Sequence, residues 1–281
     1  MRAPSSAPLG GQQLRIGVSG WDYDGWRGDF YPERLPARAR LGYVGERFDT
    51  VELNGSFYSL QRPSSYVRWY DETPPGFTFA LKGGRFVTHM KRLRDPLQGL
   101  ANFFASGPLA LREKLGPVLW QLPASLVFDE ALISGFLALL PRTTTEVGEL
   151  ARQHGPQLEG RSHLEVDAER PVLHALEVRH ASYDDERFHQ LLRDHDVACV
   201  VSDSPTWPLL DHSTAGHTYV RLHGHTELYA SGYSSRSLDA WAQRCRGWAT
   251  HGPVFVYFDN DARGRAPHDA LSLRARLASE V

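Results

Sequence analysis

Lysine is nearly absent from this chain. Of its 31 basic residues only Lys82, Lys91 and Lys114 are lysines; the rest are arginines. A codon bias toward arginine is the plain cause. Cysteine is scarcer still. Cys199 and Cys245 are too few for a disulfide framework or a four-thiolate zinc site, and Cys199 sits inside the apolar run VACVVSD, so reduced core thiols are expected. That suits a cytoplasmic protein. No apolar run approaches the roughly 18 residues of a membrane span. The opening MRAPSSAPLGGQQ lacks the apolar centre of a signal peptide, and residues 1–13 read as a disordered leader. Surplus charge is missing too: a net charge of −2 supplies no global field toward nucleic acid or an anionic membrane. Any basic site has to be local.

What is present is a globular chain, 41% hydrophobic and 23% charged, in which short β-rich runs alternate with helical stretches. The strands read as LRIGVS (14–19), DTVELN (49–54), FTFALK (77–82), PVLWQL (117–122), LHALEVR (173–179), VACVVSD (197–203), TYVRLHG (218–224) and PVFVYFD (253–259). Helical patterns such as SSYVRWYDE, DDERFHQLLRDH and SLDAWAQRCRGWA lie between them, and PHDALSLRARLAS closes the chain. Eight βα repeats are the inventory of a single (β/α)8 TIM barrel over residues 14–281. The connection between strands four and five, residues 123–172, is elongated and holds two helical patterns, DEALISGFLALL and TEVGELARQH. An open dinucleotide-binding sheet is the rival, but no strand is followed by its glycine fingerprint.

Several of these strands end in polar residues. In VLHALEVRH (172–180), Glu177 and Arg179 are two apart and share a face. Glu52 and Asn54 do the same on strand two, Arg221 and His223 on strand seven, while Lys82, Gln121, Asp203 and Asn260 or Asp261 end strands three, four, six and eight. A single such residue is more often a loop anchor than a catalyst. Burying many of them is costly unless each is paired, and in a TIM barrel the C-terminal strand ends form the active-site face. A pocket is therefore expected there.

The segments SGWDYDGWRGDFYP, VELNGSFY, FALKGGRFVTHMKRL, LWQLP, ALEVRHASY, YVRLHG with YASGYSSRSLDAWA, and VFVYFDND resemble the YecE-like family, domain of unknown function 72, from about residue 14 to the C-terminus. The resemblance implies one TIM barrel and a cytoplasmic, bacterial or archaeal protein, but no particular reaction. The chain departs from the family pattern at FDND and PHDA, which leaves the roles of Asp259 and Asp269 open.

The chemistry can be narrowed. Strands four and seven end in Gln121 and in Arg221 or His223, which disfavours paired-carboxylate glycoside hydrolysis. Strand six ends in Asp203, where a Schiff-base aldolase commonly carries its lysine. The expectation is an enzyme, with hydrolysis as its default class, acting on a small anionic or phosphorylated substrate. Glu52, Glu177, His223 and Asp203 are the candidate catalytic residues. Asn54, Lys82, His89, Gln121, Arg179, Arg221, Asn260, Trp21 and Tyr58 are the candidate substrate contacts. No cofactor is assigned; a metal is possible through Glu52, Glu177, Asp203 and His223, but no short ligand spacing favours it. The runner-up is a nucleic-acid-binding or nucleic-acid-processing protein, with arginines on phosphate and aromatics stacked on bases. No membrane partner is expected.

Overall fold

The computed structural model describes residues 13–278, so the expected leader lies outside the described residues except for Gln13. Nine parallel strands make one sheet: β1 (Leu14–Ser19), β2 (Thr50–Leu53), β3 (Thr78–Lys82), β4 (Leu115–Gln121), β5 (His174–Glu177), β6 (Val197–Cys199), β7 (Val201–Asp203), β8 (Thr218–Leu222) and β9 (Val254–Phe258). Their order is β6-β5-β4-β3-β2-β1-β9-β8-β7. The two ends of that order are halves of one run, separated by Val200, whose N–H donates to the Leu176 carbonyl at 3.1 Å. The ring therefore closes, and the protein is a TIM barrel. One expected strand, 197–203, serves both neighbours in turn: its first half pairs with β5 and its second with β8.

Side-chain alternation divides each strand between two layers. Inside the barrel the rings of Tyr219, Phe255 and Tyr257 from β8 and β9 pack with Ala80, Ala175 and Ala198 from β3, β5 and β6. Small residues opposite large ones fill the lumen, so it is a packed core and not a channel. On β1, a Cβ at Gly17 would stand 2.0 Å from the Thr50 carbonyl oxygen, so only glycine lets the strands approach there.

The outer layer buries Val18, Val51, Leu81, Trp120 and Leu176 against the helices. The two helices expected between strands four and five are present as Glu130–Leu137 and Thr144–Ala151. Each is started by a side-chain cap: Asp129 accepts from the Leu132 N–H at 3.0 Å, and Thr143 from the Glu146 N–H at 3.2 Å. The helical stretch after β3 is broken. It forms Leu97–Ala105 and the tighter Pro108–Lys114, because Gly107 between them adopts a φ of 130° and leads into a proline.

A further turn was not legible in the sequence. Phe86–Met90 forms one wide turn in which the Lys91 N–H reaches back five residues to the Phe86 carbonyl at 2.9 Å. Left-handed backbone follows at Arg92, Leu93 and Asp95, with φ of 50°, 65° and 45°. Both are features that concentrate near functional sites. No helix of the described residues is long and apolar enough to cross a membrane. Cys199 and Cys245 are free and buried, and burial pushes both thiols up to about 12.

Candidate functional site

Parallel register brings the inward polar residues to one level. Ser19 lies beside Glu52, Gln121 beside Glu177, and Ser202 beside Arg221. At the centre stands the fully buried Arg221. Its Nε and Nη2 donate to the two oxygens of Glu52 at 3.0 and 2.8 Å, its Nη1 to Glu177 at 2.7 Å, and its Nη2 also to Asp259 at 2.9 Å and to the Ser19 hydroxyl at 3.2 Å. Glu52 is saturated in turn: Oε2 accepts from Tyr219 at 2.7 Å and Oε1 from Ser19, which itself accepts from Asn54 at 2.9 Å.

Glu177 joins two guanidinium groups. Besides Arg221, it accepts from Arg179 Nε at 2.7 Å. Arg179 lies 4.0 Å over the Trp207 ring, with the Tyr229 hydroxyl 3.3 Å away. The rings of Trp207 and Tyr229 also stand edge-on to His223, and Tyr229 takes a left-handed φ of 62° to do so.

The electrostatics follow from this packing. Burial would push Glu177 and Asp259 up, but their neighbours outweigh it: the cations Arg179 and Arg221 for Glu177, and Arg221 with the adjacent His223 ring for Asp259. Both are held well below the carboxylate range. Burial and then Arg221 push His223 down, although its Nδ1 lies 3.0 Å from Asp259 without hydrogen-bond alignment.

Lys82 is the exception in a cluster where other charges are paired. Among the described residues its ammonium has neither a hydrogen-bond acceptor nor a carboxylate within 4 Å, and it rests 4.4 Å over the Phe57 ring. Burial, then Arg221, lowers it from 10.5 to about 8.

The structure thus brings Glu52, Lys82, Gln121, Glu177, Arg179, Arg221 and His223 together, with Asn54 against Ser19. His89 is close by, edge-on to Phe57 at 5.0 Å and 3.5 Å from the Gln121 amide nitrogen; burial, then Lys82, pushes it down to about 4.

Four expected residues are placed elsewhere. Asp203 is one step out of phase: its register partner Leu222 belongs to the outer layer, so Asp203 faces His225 at 3.4 Å, while its neighbour Ser202 takes the inward position. Asn260 is fully buried but ties loops, donating to the Ser231 carbonyl at 3.0 Å and to Asp269 at 2.7 Å. Asp269 also accepts the Tyr233 N–H at 3.1 Å, so both are anchors of the last helix. Trp21 lines a separate cavity of about 240 Å³ with Asn54 and Trp69, and Tyr58 is 69% exposed beside another of about 420 Å³.

Ser19, Tyr219, Trp207, Tyr229 and Asp259 are central here and were not among the expected contacts. Strand alternation carries the signal for three of them: Ser19 and Asp259 end strands, and Tyr219 is two before Arg221. Trp207 and Tyr229 come from loops and carry none. Among the described residues no three His, Cys, Asp or Glu side chains are arranged to hold a metal ion. The Arg221 guanidinium stands between the carboxylates that would otherwise face one another.

Comparison with known proteins gives the same assignment as the strand-end motifs. The family profile described as "Protein of unknown function DUF72" matches residues 15–281. The chain belongs to the DUF72 family. UPF0759 protein YunF of Bacillus subtilis (strain 168), a curated relative, is 31% identical over 116 residues, covering 39% of this chain and 40% of that protein. UPF0759 protein YecE of Escherichia coli (strain K12) is 28% identical over 112 residues, 40% of this chain and 38% of its own. The matched stretch thus spans about two fifths of each curated relative. The crystal structure of a DUF72 family protein from Thermotoga maritima MSB8 superposes over 95% of this chain and 99% of its own, with a TM-score of 0.76 and 27% identity. A DUF72 structure from Enterococcus faecalis V583 shares the fold at 14% identity, with a TM-score of 0.71 over 95% of this chain and 96% of that one.

Proposed function

We propose that this DUF72 protein is an enzyme whose substrate is a small polar anion, such as a phosphate monoester, and that Lys82 is the group that meets it. The observation that carries this reading is the half-buried Lys82 ammonium, set on an aromatic face with no hydrogen-bond or ion-pair partner within 4 Å among the described residues, beside carboxylates that are all engaged by arginine. A charge drawn partly out of water without a direct partner is costly. A fold keeps one where a ligand supplies the missing partner.

The same geometry reassigns roles expected from the sequence. Arg221 has its donors committed to protein oxygens, and the oxygens of Glu52 are taken, so neither is free to touch substrate. They position. Acid–base work, hydrolysis included, passes to Lys82, lowered to about 8, and to the neutral imidazole of His223. A lysine tuned to within a unit of neutrality exchanges protons efficiently. Arg179, spread over Trp207, offers a second cation beside them.

The test is titration calorimetry with ribose 5-phosphate, against short single-stranded oligonucleotides. Saturable binding of the sugar phosphate, lost in Lys82→Met, supports the reading. Oligonucleotide binding that strengthens with strand length, with no response to ribose 5-phosphate, overturns it.

A further inference from the structure

A cavity of about 420 Å³, lined by residues that follow β2 and β3, shares the Phe57 ring with Lys82. Its walls are apolar and aromatic, with Phe57, Tyr58, Phe86, Met90 and Phe103 among them. Tyr58, Phe86 and Met90 are 69%, 44% and 63% exposed, an unusual density of large apolar side chains in water around one hollow. The volume falls within the range of pockets for small organic ligands.

Two observations say what the hollow takes. No aspartate or glutamate lines it, and its one charged residue is Arg85, which is exposed and makes no ion pair or side-chain hydrogen bond among the described residues. The wall is therefore complementary to an apolar ring carrying negative charge. The second observation is continuity: the Phe57 ring that forms one wall also carries the Lys82 ammonium on its face, and the wall residue Ser56 donates to the Lys82 carbonyl at 2.7 Å. The backbone that shapes the hollow is the wide turn Phe86–Met90. It packs so closely on Gly99 that a Cβ there would stand 2.8 Å from Val87 and 3.1 Å from the Phe86 ring.

We propose that this cavity is a subsite for the aryl part of the substrate, so that the substrate class is an aromatic phosphate or similar aryl anion, its charge at Lys82 and its ring among Phe57, Phe86 and Met90. The proposal rests on the reading of Lys82 as the anion contact. Two variants separate them. Met90→Glu alters an exposed side chain that the fold does not need and places a like charge at the ring's seat; Lys82→Met removes the head contact.

Titration calorimetry with 1-naphthyl phosphate and with inorganic phosphate distinguishes the outcomes. The expected result is that wild type binds 1-naphthyl phosphate at least tenfold more tightly than phosphate, that Met90→Glu abolishes this advantage by weakening 1-naphthyl phosphate far more than phosphate, and that Lys82→Met weakens both ligands. Equal affinity for the two ligands in wild type overturns the subsite, as does a Met90→Glu variant that keeps the advantage. If Met90→Glu removes the advantage and Lys82→Met changes nothing, the aryl subsite stands and the anion role of Lys82 fails.

Discussion

Arg221 and Glu52 form a two-point pair, Nε to Oε2 at 3.0 Å and Nη2 to Oε1 at 2.8 Å, with both side chains sealed from solvent. The planar fork of a guanidinium fits this arrangement, and an ammonium does not. Arg221→Lys keeps the charge but leaves carboxylate oxygens of Glu52, Glu177 or Asp259 without donors. Each unsatisfied buried group costs about 1–3 kcal/mol. Urea unfolding should show a loss of at least about 2 kcal/mol, and a variant as stable as wild type would mean the fork is replaceable.

Glu177 poses the question its sequence raised, whether a strand's terminal Glu–Arg pair is scaffold or wet pocket. The structure places the carboxylate out of solvent between Arg179 and Arg221. Glu177→Gln therefore strands buried positive charge, and the expected loss is on the order of 3–5 kcal/mol, as for other broken buried pairs. Its depressed ionisation gives the pH dependence: the stability it contributes is present above the unfolded carboxylate range and fades as the pH falls through its lower folded value. Melts from pH 7 downward should show wild type losing its advantage over the variant progressively once the pH falls below the ordinary carboxylate value of 4.5. A constant gap would contradict this.

Asp203 should prove dispensable for binding. It faces His225 in the outer layer, so Asp203→Asn should leave ribose 5-phosphate affinity within about twofold, far below the tenfold that 1.4 kcal/mol represents. A tenfold loss measured by calorimetry would return it to the site.

The barrel itself was legible because its strands are short, apolar and regularly spaced, and most boundaries fall within two residues of those expected. The inward set was legible as well wherever alternation ran unbroken, as with Glu52, Glu177 and Arg221. It failed at Asp203, since the run 197–203 gives no sign of which phase its last residue takes; both faces are apolar there. Asn260 was misplaced for another reason: Phe255 and Tyr257 face inward, so the alternation carries on to Asp259 and leaves Asn260 out of phase. Nothing local marked Trp207 or Tyr229, which reach the site only through the folding of long loops. Nor could composition say that Arg221 would be saturated while Lys82 was left unpaired, because that depends on distances across the barrel.

Lys82 also makes a prediction for the fold. The fall from 10.5 to about 8 corresponds to roughly 3 kcal/mol as an upper figure, at 1.36 kcal/mol per unit. Below about pH 8 the folded and unfolded chains are both protonated, and folding bears the full cost of the half-buried charge. Between about 8 and 10.5 the unfolded chain holds the proton that the folded one has lost, so stability rises with pH. Lys82→Met should be more stable than wild type at pH 7, with the gap narrowing between pH 8 and 10.5. Such a gain in stability at the expense of binding is the mark of a residue kept for function. A variant less stable at pH 7 would show that the ammonium is a structural element.

The most direct measurement uses the scarcity of lysine. With only Lys82, Lys91 and Lys114 in the chain, ε-13C-lysine labelling gives three side-chain signals, and Lys82→Met assigns one by its loss. The account predicts that this signal titrates at about 8 in the free protein and moves upward when ribose 5-phosphate is added to saturation, because a bound anion stabilises the ammonium. A Lys82 signal that titrates near its ordinary value of 10.5, or one that ignores saturating ribose 5-phosphate, would contradict it.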